Sequence, residues 1–145
     1  MKIMAVDYGD AHTGVAISDR TLTLCGFSTV IDAYRPEAVT QRLQALIAQH
    51  EVSELVLGHP INMDGTRGPR AEKAEAFAEQ LREATGLPVT LWDERRTTVD
   101  AHNILAANGK RAKERKKTVD AVAASLMLEG YLAFRKRKHV DQPEK

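Results

Sequence analysis

Four carboxylates lie where apolar segments of the sequence begin or end. Asp7 follows "KIMAV", Asp93 and Glu94 follow "PVTLW", and Asp120 precedes "AVAASLML". The carboxyl ends of strands form the ligand-binding edge of open α/β sheets, so acids at strand ends can converge there. Hard divalent cations prefer carboxylate oxygens, and two such ions can promote hydrolysis of a phosphodiester bond. These residue types therefore predict a site for Mg²⁺ or Mn²⁺, provided that the fold brings the acids together.

Each acid also has a simpler explanation. Asp7 can open a turn, because Asp favours turns and Gly9 tolerates a positive φ. Asp120 can complement the helix dipole if it lies in the first turn of the last helix. The Asp93–Glu94 pair can be solvated, or paired with the two arginines that follow it. Sequence spacing alone leaves these alternatives open.

The net charge of +1 conceals a basic C-terminal part. Residues 1–109 have a charge balance of −5, and residues 110–145 have a balance of +6. Such clusters favour a polyanionic partner, because each contacted phosphate releases counterions, although a solvated loop and tail would look the same. A helix predicted to start at Pro69 adds cations beside backbone amides that can hold phosphate. The candidate nucleic-acid-binding residues are Arg67, Arg70, Lys73, Arg95, Lys110, Arg111, Lys113, Lys116 and Lys117.

Other kinds of site have little support. Cys25 has no second cysteine with which to form an internal disulfide, and its apolar neighbours predict a core residue. The five histidines lack the spacing of zinc ligands, and no G-x-x-x-x-G-K-[ST] phosphate loop is present. No apolar run approaches the roughly 20 residues of a membrane-spanning helix, and no secretory signal is recognisable. We therefore expect a cytoplasmic protein without a membrane partner.

The spacing of apolar residues predicts a three-stranded antiparallel meander, followed by strands that alternate with helices. The predicted strands are 2–7, 14–19, 22–31, 53–58 and 88–94. Predicted helices begin near Pro36 and Pro69, a third covers 97–109, and the last follows a basic loop at 110–117. The inward-facing positions of the first two helices are predicted to be Val39, Leu43, Leu46, Ile47, Ala74, Phe77, Ala78 and Leu81.

This order of elements predicts an α/β fold. A meander followed by β-α-β crossovers forms a mixed five-stranded sheet with helices on both faces. The 145 residues suffice for one domain, which we place at 1–138, with a disordered tail at 139–145.

Four segments in this order give the sequence a family resemblance. They are "VDYGDAHTGVAISD", "LVLGHPINMDGT", "LWDERRTTVDAH" and "RKKTVDAVAASLMLEGYL". Together they resemble the YqgF/RuvX family, described as Holliday-junction resolvases and as pre-16S ribosomal RNA nucleases, over roughly residues 2 to 132. The resemblance implies a ribonuclease-H-like fold, which agrees with the order of elements.

The resemblance also implies roles for particular residues. The catalytic, metal-binding acids would be Asp7, Glu94 and Asp120. Asp93 is a rival for the middle place, because neighbouring strand residues face opposite sides of a sheet. His59 stands where the family usually has leucine, so it either contacts substrate phosphate or is a tolerated surface change. We favour the surface change.

The resulting hypothesis is a Mg²⁺- or Mn²⁺-dependent nuclease that acts on structured nucleic acid. The resemblance supports processing of the 5′ end of the 16S ribosomal RNA precursor, with a ribosomal precursor particle as partner. It also supports cleavage of four-way DNA, which generally requires a homodimer. A non-catalytic RNA- or ribosome-binding factor of the same fold is the third alternative, and dependence of cleavage on metal separates it from the first two.

Overall fold

A five-stranded mixed sheet forms the centre of the molecule. The computed structural model describes residues 2–9, 12–62, 64–93 and 112–141, with side chains from 122 to 137 in the last of these ranges. The strands are β1 (Lys2–Asp7), β2 (His12–Ser18), β3 (Cys25–Asp32), β4 (Val52–His59) and β5 (Val89–Asp93). Their order is β3-β2-β1-β4-β5; the first three form the antiparallel meander, while β4 is parallel to β1 and β5 is parallel to β4. The predicted sheet is confirmed.

Two helices follow β3 and β4 at the predicted positions. Helix α1 covers Pro36–His50 and α2 covers Pro69–Thr85, each with a proline in its first turn. Proline is suited to this place because its missing N–H would have no partner inside the helix. Helix α2 ends at Gly86, whose φ of 70° is left-handed and suits a residue without a Cβ.

The last helix, α3, differs from the prediction at its start. It covers Ala112–Asp141, so residues 112–117 are helical and the predicted basic loop is wrong there. Alanine, lysine, arginine and glutamate all favour helices, and a dense positive charge does not by itself break one. The helix also extends beyond residue 138, where the predicted domain ended. The predicted helix at 97–109 lies outside the described residues.

Helices cover both faces of the sheet, as predicted. On one face, here called the α2 face, Met4, Val6, Leu55 and Leu57 pack with residues of α1 and α2. On the other, the α3 face, sheet residues pack with α3; the cluster contains Ile3, Ala5, Ala16, Val56, Trp92, Ala124, Met127, Leu128, Tyr131 and Leu132. Successive strand residues alternate between these faces, so the two clusters show to which face each side chain belongs.

The predicted interior of the first two helices is largely confirmed. Val39 and Leu43 are buried in α1, whereas Leu46 and Ile47 are partly buried against the same cluster. The four positions predicted for α2, from Ala74 to Leu81, are all buried. Cys25 is partly buried against the cluster of the α3 face, which supports its predicted packing role.

Polar and aromatic contacts hold α3 on the sheet. The Tyr131 ring meets Trp92 edge to face, with 5.6 Å between ring centroids. Its hydroxyl donates to a carboxylate oxygen of Glu54 in β4 at 2.5 Å. Burial, together with this carboxylate, raises the pKa of Tyr131 above its usual value. Within the described ranges, no helix is both long and apolar enough to cross a membrane.

Candidate active site

Asp7 lies at the carboxyl end of the central strand β1. The carboxyl ends of the parallel strands β4 and β5 lie along the same edge of the sheet, here called its carboxyl edge. Asp7 forms the last pair of the β1–β2 ladder, opposite Gly14, and is half-buried. Ile3 and Ala5 belong to the cluster of the α3 face. Because side chains alternate along a strand, Asp7 belongs to the α3 face as well.

The Asp7 carboxylate accepts no hydrogen bond and forms no ion pair with the part of the chain that the structure describes. An Asp that serves a turn often accepts a hydrogen bond from the backbone amide two residues later, and Gly9, the described residue at that place, donates none to Asp7. A half-buried carboxylate without a partner is costly, and a bound cation would remove that cost. The donor set at Asp7 therefore fits a divalent metal.

Gly9 has a different role from the one predicted. Its φ is not positive; instead, a Cβ at this position would lie 2.4 Å from the backbone oxygen of His12. Glycine is needed because the two strands approach closely at the β1–β2 turn.

The strand register separates Asp93 from Asp7. In β5, Val89 and Leu91 pack in the cluster of the α2 face, whereas Trp92 packs on the α3 face. Alternation then assigns Asp93 to the α2 face, opposite to Asp7. Asp93 is also paired in the ladder with His59, which contacts α2. Asp93 and Asp7 therefore do not share a face of the sheet.

The two other predicted metal ligands are Glu94 and Asp120. Glu94 lies outside the described residues, and only the backbone of Asp120 is described. That backbone is in the third turn of α3, not in the first as predicted, because the helix begins at Ala112. The helix-dipole explanation of Asp120 is therefore wrong, since the dipole effect is confined to the first turn. Within the described part of the chain, no three acidic, histidine or cysteine side chains form a metal-binding group.

Arg67 is engaged within the protein. Its guanidinium donates two hydrogen bonds to Glu75 of α2, at 2.7 Å from Nε and 2.5 Å from Nη2. The Nε2 atom of His59 lies 2.6 Å from the same carboxylate. Arg67 and then His59, as hydrogen-bond partners, lower the pKa of Glu75 to about 2. Arg67, His59 and Glu75 thus form one network, here called the Glu75 network, which joins the loop after β4 to α2.

The Glu75 network corrects the interpretation of His59. Only 14% of the His59 side chain is exposed, and its ring bonds to a carboxylate within the fold. It is therefore neither a tolerated surface change nor a group open to substrate phosphate. Its sequence signal was weak, because nothing in the motif around residue 59 points to a partner sixteen positions later.

The remaining candidate cations have different surroundings. Lys73 lies over the ring of Tyr8, with Nζ 5.7 Å from the ring centroid, and Tyr8 stacks on Phe77. Arg70 is exposed in the first turn of α2 and has no ion-pair partner among the described residues. Arg95, Lys110 and Arg111 lie outside the described residues. Lys113, Lys116 and Lys117 belong to α3, with only their backbone described.

One pair at this edge was missed by the sequence analysis. Strand β2 begins at His12, two residues before its predicted start, and its ladder pairs His12 with Asp32 of β3. The Nδ1 atom of His12 lies 2.6 Å from a carboxylate oxygen of Asp32. The predicted start of this strand at residue 14 left His12 outside the sheet, and that prediction concealed the pairing. The pairing depends on the register between β2 and β3, which the sequence pattern did not provide.

A match to a protein-family model identifies the family of this chain. The family model described as "RuvX: Holliday junction resolvase" matches residues 1–134. This chain belongs to the RuvX family. The recognised motifs, the mixed sheet and the carboxylate at the end of β1 are thus features of a RuvX protein.

Curated relatives in the RuvX family match over nearly the full chain. A protein of Halothermothrix orenii named "Putative pre-16S rRNA nuclease" is 42% identical over 139 residues, which cover 96% of this chain and 99% of that protein. A protein of Desulfitobacterium hafniense with the same name is 43% identical over 146 residues, which cover 99% and 100% of the two chains.

Solved structures support the ribonuclease-H-like fold. The Thermus thermophilus RuvC structure in complex with a Holliday junction substrate aligns with a TM-score of 0.62 at 14% identity, covering 93% of this chain and 96% of that one. The fowlpox virus Holliday junction resolvase aligns with a TM-score of 0.54 at 13% identity, covering 92% and 99%. At these identities, the similarity shows the shared fold.

Proposed function

We propose that this RuvX protein is a metal-dependent endonuclease that processes the 5′ end of the 16S ribosomal RNA precursor. The observation that carries the proposal is the half-buried Asp7 carboxylate, which has no partner among the described residues and lies at the carboxyl edge of the sheet. Such a group is suited to a divalent cation.

Asp7, Glu94 and Asp120 would hold Mg²⁺ or Mn²⁺. Two observations support this choice over one with Asp93: Asp7 belongs to the α3 face, and Asp93 belongs to the opposite face. Asp120 is in the helix that covers the α3 face, one helical turn before the buried Ala124. When bound, the metal would supply Lewis-acid activation of the attacking water and stabilise charge on the phosphate.

The protein's own cations would position the nucleic acid. Arg70 lies in the first turn of α2, near backbone amides that have no helical partner, and is open to solvent. The basic N-terminal part of α3 contains Lys113, Lys116 and Lys117, and Arg95, Lys110 and Arg111 precede it in sequence. Contacts of this kind recognise backbone and shape, which suits structured RNA. With 5% aromatic residues, the chain has little material for a base-stacking surface.

The substrate is proposed from the names of the relatives. Those at 42–43% identity over nearly the whole chain are named as pre-16S rRNA nucleases, so we favour that RNA, within a ribosomal precursor particle in the cytoplasm. Four-way DNA is the second candidate, because the matching family model is described as a Holliday junction resolvase. Cutting two strands of a junction would require a homodimer.

The test offers both substrates to the same enzyme. A 5′-extended 16S RNA fragment and a four-way DNA junction are incubated in parallel with Mn²⁺, with Mg²⁺ or with EDTA. Cleavage products are mapped on sequencing gels for the wild type, for Asp7→Asn and for Glu83→Gln. Glu83 is an exposed carboxylate of α2 and provides the matched control.

We expect metal-dependent cleavage of the RNA by the wild type and Glu83→Gln, and none by a folded Asp7→Asn. Paired symmetric nicks in the DNA with intact RNA would instead establish the junction resolvase. Salt-sensitive binding without any cleavage in Mn²⁺ would establish the non-catalytic binding factor.

A further inference from the structure

We propose that His12 is a further catalytic residue, which donates a proton from Nε2 to the leaving oxygen of the cleaved phosphodiester. The proposal rests on the nuclease function proposed above. It concerns the pair of His12, at the start of β2, and Asp32, at the end of β3. Neither residue is one of the proposed metal ligands.

The ladder places His12 beside Asp7 on the same face. Asp7 pairs with Gly14, and His12 lies two residues from Gly14 along β2. Ala16 belongs to the cluster of the α3 face, so alternation assigns Gly14 and His12 to that face too. Diagonal neighbours of this kind have Cα atoms about 7 to 8 Å apart, within reach of a long side chain.

Glycines leave room around this histidine. Gly14, opposite Asp7, has no side chain, and Gly9, whose Cβ would collide with the His12 backbone, has none either. The space in front of Asp7 on this hairpin is therefore not filled by β1 or β2 side chains next to it. A phosphate held at Asp7 can approach the imidazole without displacing a side chain of these two positions.

Asp32 orients the imidazole. A carboxylate only accepts hydrogen bonds, so the 2.6 Å contact makes Nδ1 the donor. The Nε2 atom has no partner among the described residues, and 26% of the His12 side chain is exposed. An imidazole fixed through Nδ1 by a carboxylate, with Nε2 open, is the usual arrangement of a histidine that transfers protons.

In the proposed step, one proton moves from His12 to the leaving oxygen. Water attacks phosphorus and loses its proton to solvent, and the bond from phosphorus to the leaving oxygen breaks. The leaving oxygen keeps the electron pair and takes the proton from Nε2 of the His12 imidazolium. The neutral imidazole, whose Nδ1–H stays on Asp32, then regains a proton from solvent.

A change of leaving atom tests this role. The cleaved linkage, once mapped with the wild type, is resynthesised with sulfur in place of the leaving oxygen, because a thiolate leaves without being protonated. In His12→Asn, the side-chain amide can replace Nδ1 towards Asp32 but cannot transfer a proton. We expect kcat on the oxygen substrate to fall by about 10² to 10⁴, with the sulfur substrate within about threefold of the wild type.

Two further variants separate the possible causes of a loss. Asp32→Asn, which replaces the orienting carboxylate by a neutral amide, should lower kcat on the oxygen substrate less than His12→Asn does, again sparing the sulfur substrate. Asp7→Asn should lose both substrates, because it removes the metal site. Equal losses on oxygen and sulfur in His12→Asn, or full activity on oxygen, would overturn the proposal for His12 while leaving the nuclease assignment intact. If the wild type cleaves neither substrate, the nuclease assignment fails, and the role of His12 fails with it.

A measurement without turnover completes the test. In metal-free protein, ¹⁵N spectra of the imidazoles should show Nδ1 of His12 as a hydrogen-bond donor, with a signal that moves in Asp32→Asn. Adding uncleavable RNA should shift the Nε2 signal of His12 and leave that of His50, at the end of α1, unchanged. An unmoved His12 signal at saturating RNA would contradict direct contact with substrate.

Discussion

The carboxyl edge of the sheet carries charged groups on both faces, and the two sets differ in how they are satisfied. On the α2 face, Glu75 binds Arg67 through two hydrogen bonds and His59 through a third. On the α3 face, neither the Asp7 carboxylate nor Nε2 of His12 has a partner among the described residues, and Nδ1 of His12 contacts Asp32. The groups on the α2 face bind one another, whereas those on the α3 face keep atoms without a partner in the described part of the chain.

This difference indicates where a ligand belongs. Groups that saturate one another hold the fold, because each has exchanged water for a protein partner. Unsatisfied groups at a sheet edge retain the capacity to bind, at a cost to stability that function can justify. We therefore expect the α2 face to support the proposed site and the α3 face to provide its chemistry.

The largest expected effect is a loss of activity on mutation of the α3 face, with little loss on mutation of the α2 face. Asp7→Asn should lower metal-dependent kcat by about 10³-fold or more, because it removes a metal ligand. Glu75→Gln, which keeps the shape of the side chain on the other face, should retain activity within about tenfold. Single-turnover cleavage of the RNA measures both, and an inactive, folded Glu75→Gln would show that the α2 face also takes part in the chemistry.

A smaller effect is expected on binding. Arg70→Ala should weaken RNA binding uniformly across sequences and reduce the slope of log K against log salt by about 1, because one phosphate contact is lost. Arg67→Ala should leave that slope unchanged, since its guanidinium is held by Glu75. Filter binding at four salt concentrations decides this, and equal slopes in the two variants would contradict the distinction.

The contribution of the Glu75 network to stability should depend on pH. The pKa of Glu75 in the folded protein is about 2, against an ordinary value of 4.5, because Arg67 and His59 favour the charged form. A lowered pKa contributes stability that is present above pH 4.5 and is lost as the pH falls towards 2. Glu75→Gln should therefore melt a few degrees below the wild type at pH 7, with the gap closing as the pH falls through that window. A pH-independent gap would contradict this origin of the stability.

The smallest expected effect is a gain in stability on mutation. In EDTA, Asp7→Asn should be slightly more stable than the wild type, by up to about 1 kcal/mol, because the half-buried carboxylate has no partner in the described part of the chain. Chemical denaturation measures the difference, and added Mn²⁺ should stabilise the wild type alone. A less stable Asp7→Asn in EDTA would reveal a structural role for the carboxylate.

Much of the architecture follows from local patterns. The sheet, the starts of α1 and α2 at prolines, and the buried positions of α2 were predicted from apolar spacing and turn residues. These signals are short-range, because periodicity and backbone preference act within one element. The start of α3 was missed, since a run of charged helix formers carries no apolar periodicity.

The sequence by itself determined that acids end β1 and β5 and that the chain has the elements of a ribonuclease-H-like sheet. Only the tertiary structure decided that Asp7 and Asp93 are on opposite faces, that His59 contacts Glu75, and that His12 is a diagonal neighbour of Asp7 across the β1–β2 ladder. The physical reason is that a strand shifted by one residue turns every side chain to the other face, so register, which is set by pairing between distant segments, decides which groups can meet.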